Sequence, residues 1–252
     1  MGGAGLALCG GPEAAFYNAA ALGRVQTYSL TSTYVAHFAG VDYGTIGISA
    51  PCFGLQVLVL DSGSIVNQGQ LLRYSTQGIV ASTGVQFVPE TVFVGLRARL
   101  LRISSPVQAF GWAIDPCLLI TVGNVHGGLM LEGGMSRDVT GSGIEGESWG
   151  SGVSVGVGFG GQLTSLLRCR AGVEVADSFS TERSLRAGLE LQIGRLMGRV
   201  GYGGVGLTAG LSVVVDCIRL DFGYAGRRDL GGSYRIGVAL DLDKLLHGEP
   251  AT

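Results

Sequence analysis

The chain has 252 residues, and 45 of them are Gly, about 18% against the roughly 7% usual in proteins. Charged residues make up 14% and hydrophobic residues 46%, with a net charge of −2 and a mean hydropathy of +0.40. This balance excludes a disordered chain, the lack of a Gly-X-Y period excludes collagen, and each Gly inside a helix would cost about 1 kcal/mol.

What remains is a chain of strands with fewer charges than a water-facing surface carries, which points to a membrane β-barrel. Lys244 is the only Lys, and no basic footprint for nucleic acid is present. Cys9, Cys52, Cys117, Cys169 and Cys217 form no CxxC pair and are odd in number. They therefore suggest neither a disulfide framework nor a zinc site, but small buried or lipid-facing hydrophobes. Met1 leads straight into Gly2-Gly3-Ala4-Gly5 without a basic n-region, so an exported form is expected to carry its signal peptide outside this numbering.

Residues 1–25 are Gly/Ala-rich and show no period. From 26 to 38 the pattern has period 2: Tyr28, Leu30, Tyr34, Ala36 and Phe38 alternate with Thr27, Ser29, Thr31, Thr33 and His37. Residues 43–60 carry no charge, but Gly44, Gly47, Pro51 and Gly54 interrupt them. Two strands, 41–50 and 53–60, joined at Ala50-Pro51-Cys52, fit this window better than a membrane helix. A polar loop is expected over 61–76. Then 77–88 alternates Ile79, Ala81, Thr83, Val85 and Phe87, and Pro89-Glu90 turns into 91–103, where Val92, Val94, Leu96, Ala98 and Leu100 oppose Arg97 and Arg99. Strands over 107–119 and 125–136 precede a loop expected over 137–151.

The last third is the most regular, with strands expected over 153–160, 167–175, 185–193, 196–202, 206–215, 218–224 and 234–242. The total is about 14, with lengths suited to antiparallel membrane strands. The predicted fold is all-β, a transmembrane antiparallel barrel, because only closure satisfies every backbone group in lipid.

Motifs with chemical associations carry little here. GxGxxG occurs at Gly201–Gly206 and Gly156–Gly161, and GxSxG at Gly152–Gly156, but chance matches are expected at this Gly frequency and the alternation runs through them. His37, His126 and His247 have no partner at metal spacing. Asp241 and Asp243 share a face as a lumen residue and a strand-end residue. Trp112, Trp149, Tyr28, Tyr43, Tyr202 and Tyr234 are candidates for the membrane interfaces, with ordinary packing as the alternative. The polar face gathers Arg97, Arg99, Arg168, Arg170, Arg186, Arg199, Arg219 and Arg235 against Glu132, Glu174, Glu190, Asp221 and Asp241. Two readings stay open: a ladder of cross-strand ion pairs, or a passage favouring anionic or amphipathic groups.

Gly2-Gly3-Ala4-Gly5-Leu6-Ala7, followed by Glu13-Ala14-Ala15-Phe16-Tyr17-Asn18-Ala19-Ala20-Ala21-Leu22, resembles the opening of FadL-like outer-membrane barrels and their PorV relatives. That opening reads as a Gly/Ala run, an acidic residue, then Tyr-Asn-Pro-Ala-Gly-Leu. Leu220-Asp221-Phe222-Gly223-Tyr224-Ala225, Asp229-Leu230-Gly231 and Tyr234-Arg235-Ile236-Gly237-Val238 look like the last hairpin of PorV-type proteins, which are associated with type IX secretion. Arg170-Ala171-Gly172-Val173-Glu174 and Arg199-Val200-Gly201-Tyr202 match the strands between. Ala19 stands where the family has Pro, Ala21 where it has Gly, and the family's terminal aromatic strand residue is replaced by a tail.

The resemblance implies a 14-stranded barrel over 26–243, with residues 1–25 folded into the lumen as a plug whose motif is Phe16, Tyr17 and Asn18, and a tail over 244–252. It implies a bacterial outer-membrane protein in contact with outer-membrane lipids, not an enzyme and without cofactors. The expected role is PorV-like: a partner or scaffold subunit of an envelope or secretion assembly that binds other envelope or secretion proteins. Short loops, the final hairpin and the lack of an apolar ligand-pocket signature favour it. The alternative is a FadL-like channel for hydrophobic or amphipathic small molecules, holding a lipid-like ligand; a soluble Gly-rich β-protein is a second alternative.

Overall fold

A strand leaves its N–H and C=O groups on two open edges, so a sheet in lipid must close on itself. The computed structural model describes residues 2–36, 41–67, 70–105, 108–141, 144–147, 152–176, 184–203, 206–227 and 231–247, and its strands do close. The first seven are β1 (Ser29–Ala36), β2 (Asp42–Ala50), β3 (Phe53–Asn67), β4 (Gln70–Val88), β5 (Val92–Ser105), β6 (Ala109–Val122) and β7 (Val125–Glu132). Next come β8 (Met135–Gly141), β9 (Ile144–Glu147), β10 (Gly152–Gln162), β11 (Leu167–Ala176) and β12 (Ser184–Ile193). The last four are β13 (Leu196–Gly203), β14 (Leu207–Val215), β15 (Ile218–Arg227) and β16 (Gly231–Asp241).

Fourteen of them form an antiparallel ring in which β6 pairs with β7, β7 with β10, and β16 returns to β1. β8 and β9 lie outside the ring: β6 pairs with β7 from Cys117 onward, with β8 before Asp115, and β8 carries β9. The changeover falls at Pro116, which has no N–H to give to a ladder. Opposite it the partner chain breaks at Gly133, which is left-handed (φ 61°) and donates its N–H to Asp115 Oδ1 at 2.7 Å.

The period-2 reading fixes the two faces correctly. Ile46, Val57, Ile79, Leu96, Val157, Val200, Phe222 and Ile236 stand exposed on the outer face, which meets lipid. Trp112 shares that face with its register partner Leu100. Tyr34, Tyr202, Tyr224 and Tyr234 ring one rim and Tyr28 lies at the other. Tyr43 was expected at an interface but points inward, because its register partners Val35 and Leu60 fall on the lumen parity.

Tight hairpins gather at one end, where Cys52, Glu90, Gly123, Gly194 and Asp216 take the left-handed conformation that such turns need. At the other end the expected loop over 61–76 is mostly strand. Beyond a bulge between Asp61 and Ser64, β3 and β4 continue in register to Asn67 and Gln70, and Arg73 pairs with Asp61 across them. The expected loop over 137–151 likewise contains most of β8 and all of β9. Residues 26–28 precede β1, and the tail begins as a helix, α2 (Leu242–His247). His37, Phe38, Trp149, Asp229, Leu230 and residues 248–252 lie outside the described residues.

The N-terminal segment folds as a 3-10 turn (Gly11–Glu13), α1 (Ala14–Tyr17) and a second 3-10 turn (Ala19–Arg24). Gly2 N–H donates to Thr208 Oγ1 on β14, and Gly5 and Leu6 N–H donate to Glu174 Oε2 on β11, at 3.0–3.1 Å. Ser82 on β4 donates to Ala15 O, Arg97 on β5 to Phe16 O, and Cys52 N–H to Leu22 O. These contacts tie residues 2–25 to inward-facing groups on strands spread round the ring. Asn18, fully buried, is the clasp: Nδ2 donates to Leu6 O (2.8 Å) and Leu118 O (3.2 Å), and Oδ1 accepts from Ala20 N–H.

The inner wall receives this segment through its glycines. A Cβ on Gly84 would lie 2.0 Å from Ala19 O, one on Gly95 2.4 Å from Ala20 N, and one on Gly128 2.6 Å from Leu6 O. These are backbone obstacles and cannot rotate away. Gly84→Val is therefore expected to lower the stability of the folded barrel by about 1–3 kcal/mol. Gly198→Val, which meets nothing within 4 Å, is expected to be neutral, and urea titration of both variants followed by gel mobility checks the contrast.

Asp115 is fully buried and accepts from Arg97 Nε (2.7 Å), Arg99 Nη2 (2.8 Å) and Gly133 N–H. Removing one member of such a cluster strands the others' charge in the interior. Asp115→Ala is expected to cost about 3–5 kcal/mol in the same titration, more than Glu132→Ala, whose carboxylate holds only the Ser154 hydroxyl among the described residues.

Candidate functional site

The segment does not fill the ring, and space remains between it and the inner faces of β13–β16, β1 and β2. Across six adjacent strands, one row of inward positions reads Arg199 (β13), Gly210 (β14), Gly223 (β15), Arg235 (β16), Val35 (β1) and Tyr43 (β2). Toward the tight-turn end the next row reads Met197, Ser212, Asp221, Gly237 and Thr33. In the opposite direction it is Gly201, Thr208, Ala225 and Ser233.

Between these rows and the segment lies a cavity of about 660 Å³. Leu8, Phe16 and Tyr17 line it from the segment, and Tyr43, Gly223 and Arg235 line it from the wall. A second cavity of about 120 Å³ continues toward the tight-turn end past Thr31, Thr45 and Ala239. The two share Glu13, Phe16, Tyr17, Val35, Tyr43, Arg219, Asp221 and Arg235, so these residues form the neck between them.

A continuous chain of charge runs along the wall into this neck. Arg170 Nη1 donates to Glu190 Oε1 (3.3 Å), and Arg199 Nε to Glu190 Oε2 (2.6 Å). Arg199 Nη1 reaches Asp221 Oδ1 (3.1 Å), Arg219 Nε reaches Asp221 Oδ2 (3.0 Å), and Arg219 Nη2 reaches Glu13 Oε2 (3.2 Å). Ser212 donates to Asp221 as well. Three guanidinium groups thus meet three carboxylates, which offsets much of the cost of desolvating them. Glu174 pairs with Arg186 at 3.0 Å while it holds the N–H groups of Gly5 and Leu6.

The expected inward charges therefore divide into three groups, with Arg235, Arg168, Asp241 and the Ser154-bonded Glu132 standing apart. Arg97 and Arg99 belong to Asp115; Glu174 and Arg186 hold the segment; Arg170, Glu190, Arg199, Asp221 and Arg219 form the chain. Arg235 faces both cavities, lies 3.4 Å from Thr33 Oγ1, and forms no ion pair among the described residues. Arg168 is exposed near the start of β11 and joins no ion pair among the described residues. Asp241 accepts from Lys244 N–H at the first turn of α2, at the rim and apart from the chain.

Sequence reasoning missed Asp115, Glu13, Ser212 and Arg24. Asp115 is a lone acid within an apolar run, and its position on the Arg97 face depends on the β5–β6 register, where Arg97 lies opposite it. Arg24 donates to Thr121, approaches His126 Nδ1 at 3.2 Å and stacks over Phe93, placing His126 in a structural contact at the tight-turn end. Ser154 of the GxSxG match sits inside β10 and donates to Glu132 Oε1 at 3.0 Å. The neighbours of Phe16, Tyr17 and Asn18 divide their roles: Asn18 clasps the segment, while the two aromatic rings face the cavity.

No family model and no curated protein matches the chain. Solved outer-membrane barrels do resemble it. A FadL homologue from Pseudomonas aeruginosa superposes with a TM-score of 0.58 at 9% identity, covering 94% of this chain and 96% of its own. The toluene transporter TodX of Pseudomonas putida gives 0.57 at 12% identity, covering 91% and 92%. The outer membrane protein Omp33 of Acinetobacter baumannii gives 0.57 at 6%, covering 87% and 99%. At such identities the likeness is one of fold: the chain is a closed 14-stranded antiparallel barrel with the fold of these outer-membrane barrels.

Proposed function

We propose that this protein is an outer-membrane channel for hydrophobic or amphipathic small molecules. Residues 1–25 act as its plug, and the solute path follows the cavity between them and the wall. The observation that carries this reading is the 660 Å³ cavity between segment and wall, within the size range of small-molecule sites and lined by both aromatic and charged groups. Outer-membrane barrels keep their short turns on the periplasmic side, so the tight-turn end and the smaller cavity face the periplasm. The likeness in fold to a toluene transporter and a FadL homologue supports the same reading.

The partner-subunit reading loses two of its grounds. A cavity with aromatic lining stands where no apolar pocket was expected, and the β3–β4 hairpin is long where short loops were expected. The likeness of the last hairpin to PorV-type proteins remains its support. A stoichiometric complex with another envelope protein in mild detergent, without uptake of small molecules by the reconstituted barrel, would restore it.

Two measurements test the channel. Arg235 offers a guanidinium to the cavity without a carboxylate to neutralise it among the described residues, so dodecanoate should bind the protein more tightly than dodecanol. Arg235→Gln should remove that difference, a loss of about tenfold for the anion, or roughly 1.4 kcal/mol. In planar bilayers, a barrel lacking residues 2–25 and verified by gel mobility should conduct ions several-fold better than the full chain. Equal conductance would sink the plug assignment.

A further inference from the structure

The shape of the cavity floor narrows the solute class, and this inference rests on the channel reading above. In the row Arg199–Gly210–Gly223–Arg235 the two charged residues stand three strand spacings apart, about 14 Å, with bare backbone between them. The Arg199 guanidinium is drawn away toward Glu190 and Asp221, so the gap is not filled from that side. Asp221 closes it toward the tight-turn end, and Phe16 and Tyr17, ring edge to ring face at 5.5 Å, bound the same cavity from the segment. Tyr43 extends the row beyond Arg235.

We infer that the cavity is a site for a flat, fused-ring amphipathic anion, whose ring system lies over Gly210 and Gly223 and whose acid group meets Arg235. Two adjacent strands without side chains make a floor about 10 Å across, which suits a fused ring lying face-down. An alkyl chain, about as thick as a single strand spacing of roughly 4.8 Å, would cover half of it. Aromatic rings on the segment side favour a π-face over a flexible chain, and a rigid solute loses less conformational freedom on binding. Arg235 at the edge of the floor selects the acid over the neutral analogue.

Gly223 allows a clean test, because an added Cβ there meets only Arg235 Cβ at 3.5 Å and Ala209 O at 3.9 Å, which are ordinary contacts. Equilibrium dialysis of the full-length protein in amphipol, corrected for empty amphipol, would measure binding of 1-pyrenebutyrate and dodecanoate. The expected result is binding of pyrenebutyrate at least about tenfold tighter than dodecanoate, with Gly223→Val abolishing that preference while dodecanoate changes less than about twofold. The control Gly198→Val, at an open position, should keep the preference. If Gly223→Val weakens both anions alike, or if dodecanoate binds as tightly as pyrenebutyrate, the fused-ring assignment is overturned and the channel reading stands. If neither anion binds and the reconstituted barrel passes neither, the channel reading falls with it.

Discussion

The structure depends on one close approach: the backbone of residues 2–25 lies directly against the backbone of the barrel wall. Gly84, Gly95 and Gly128 make this possible, because any side chain there would occupy the space of Ala19, Ala20 or Leu6. A barrel of fourteen strands encloses more room than its own inward side chains fill, and small barrels solve the problem by packing the interior. Here the chain's own beginning packs its Leu and Ala side chains against strands of the ring. The burial of Leu6, Ala14, Ala19, Ala20, Ala21 and Leu22 follows from it, as does the off-centre position of the remaining cavity.

The charges are arranged around the same asymmetry. Where the segment meets the wall, carboxylates either hold its N–H groups, as Glu174 does, or neutralise the guanidinium that reaches its carbonyls, as Asp115 does for Arg97. On the open side, Arg170, Glu190, Arg199, Asp221, Arg219 and Glu13 form a chain in which each middle member touches two opposite charges. Glu13 is the segment's link to that chain, so the neck between the two cavities is an electrostatic contact between segment and wall. Among the described residues Arg235 stands apart from this balance, its guanidinium facing both cavities without an ion pair.

The sequence made the faces legible but not the neighbours. Period-2 alternation put Arg186, Glu190, Arg199 and Asp221 on the inner face because each strand reports its own parity locally. Which carboxylate serves which guanidinium depends on register, and register is set between strands. Asp115 lies opposite Arg97 only because β6 follows β5 through a connection whose length fixes the pairing, and nothing near Asp115 in sequence signals it. The residues 61–76 misled for a related reason. Asp61, Gly63, Ser64 and Arg73 read as a loop by composition, yet Arg73 reaches across a hairpin to Asp61, which also accepts from Gly63 N–H. The cavity had no sequence signature because it is made of missing side chains, and a Gly facing open space reads the same as one facing a backbone.

Those two kinds of glycine have different futures. A Gly beneath Ala19 or Leu6 is held by its contact, and any replacement disturbs the whole interior. A Gly such as Gly223 has room above it, so its replacement alters the floor and leaves the frame in place. Glycines against the segment's backbone are thus fixed by geometry, whereas those facing the cavity have room to change. A lineage carrying this barrel, or an engineer working with it, could reshape that floor one residue at a time without relearning how to fold.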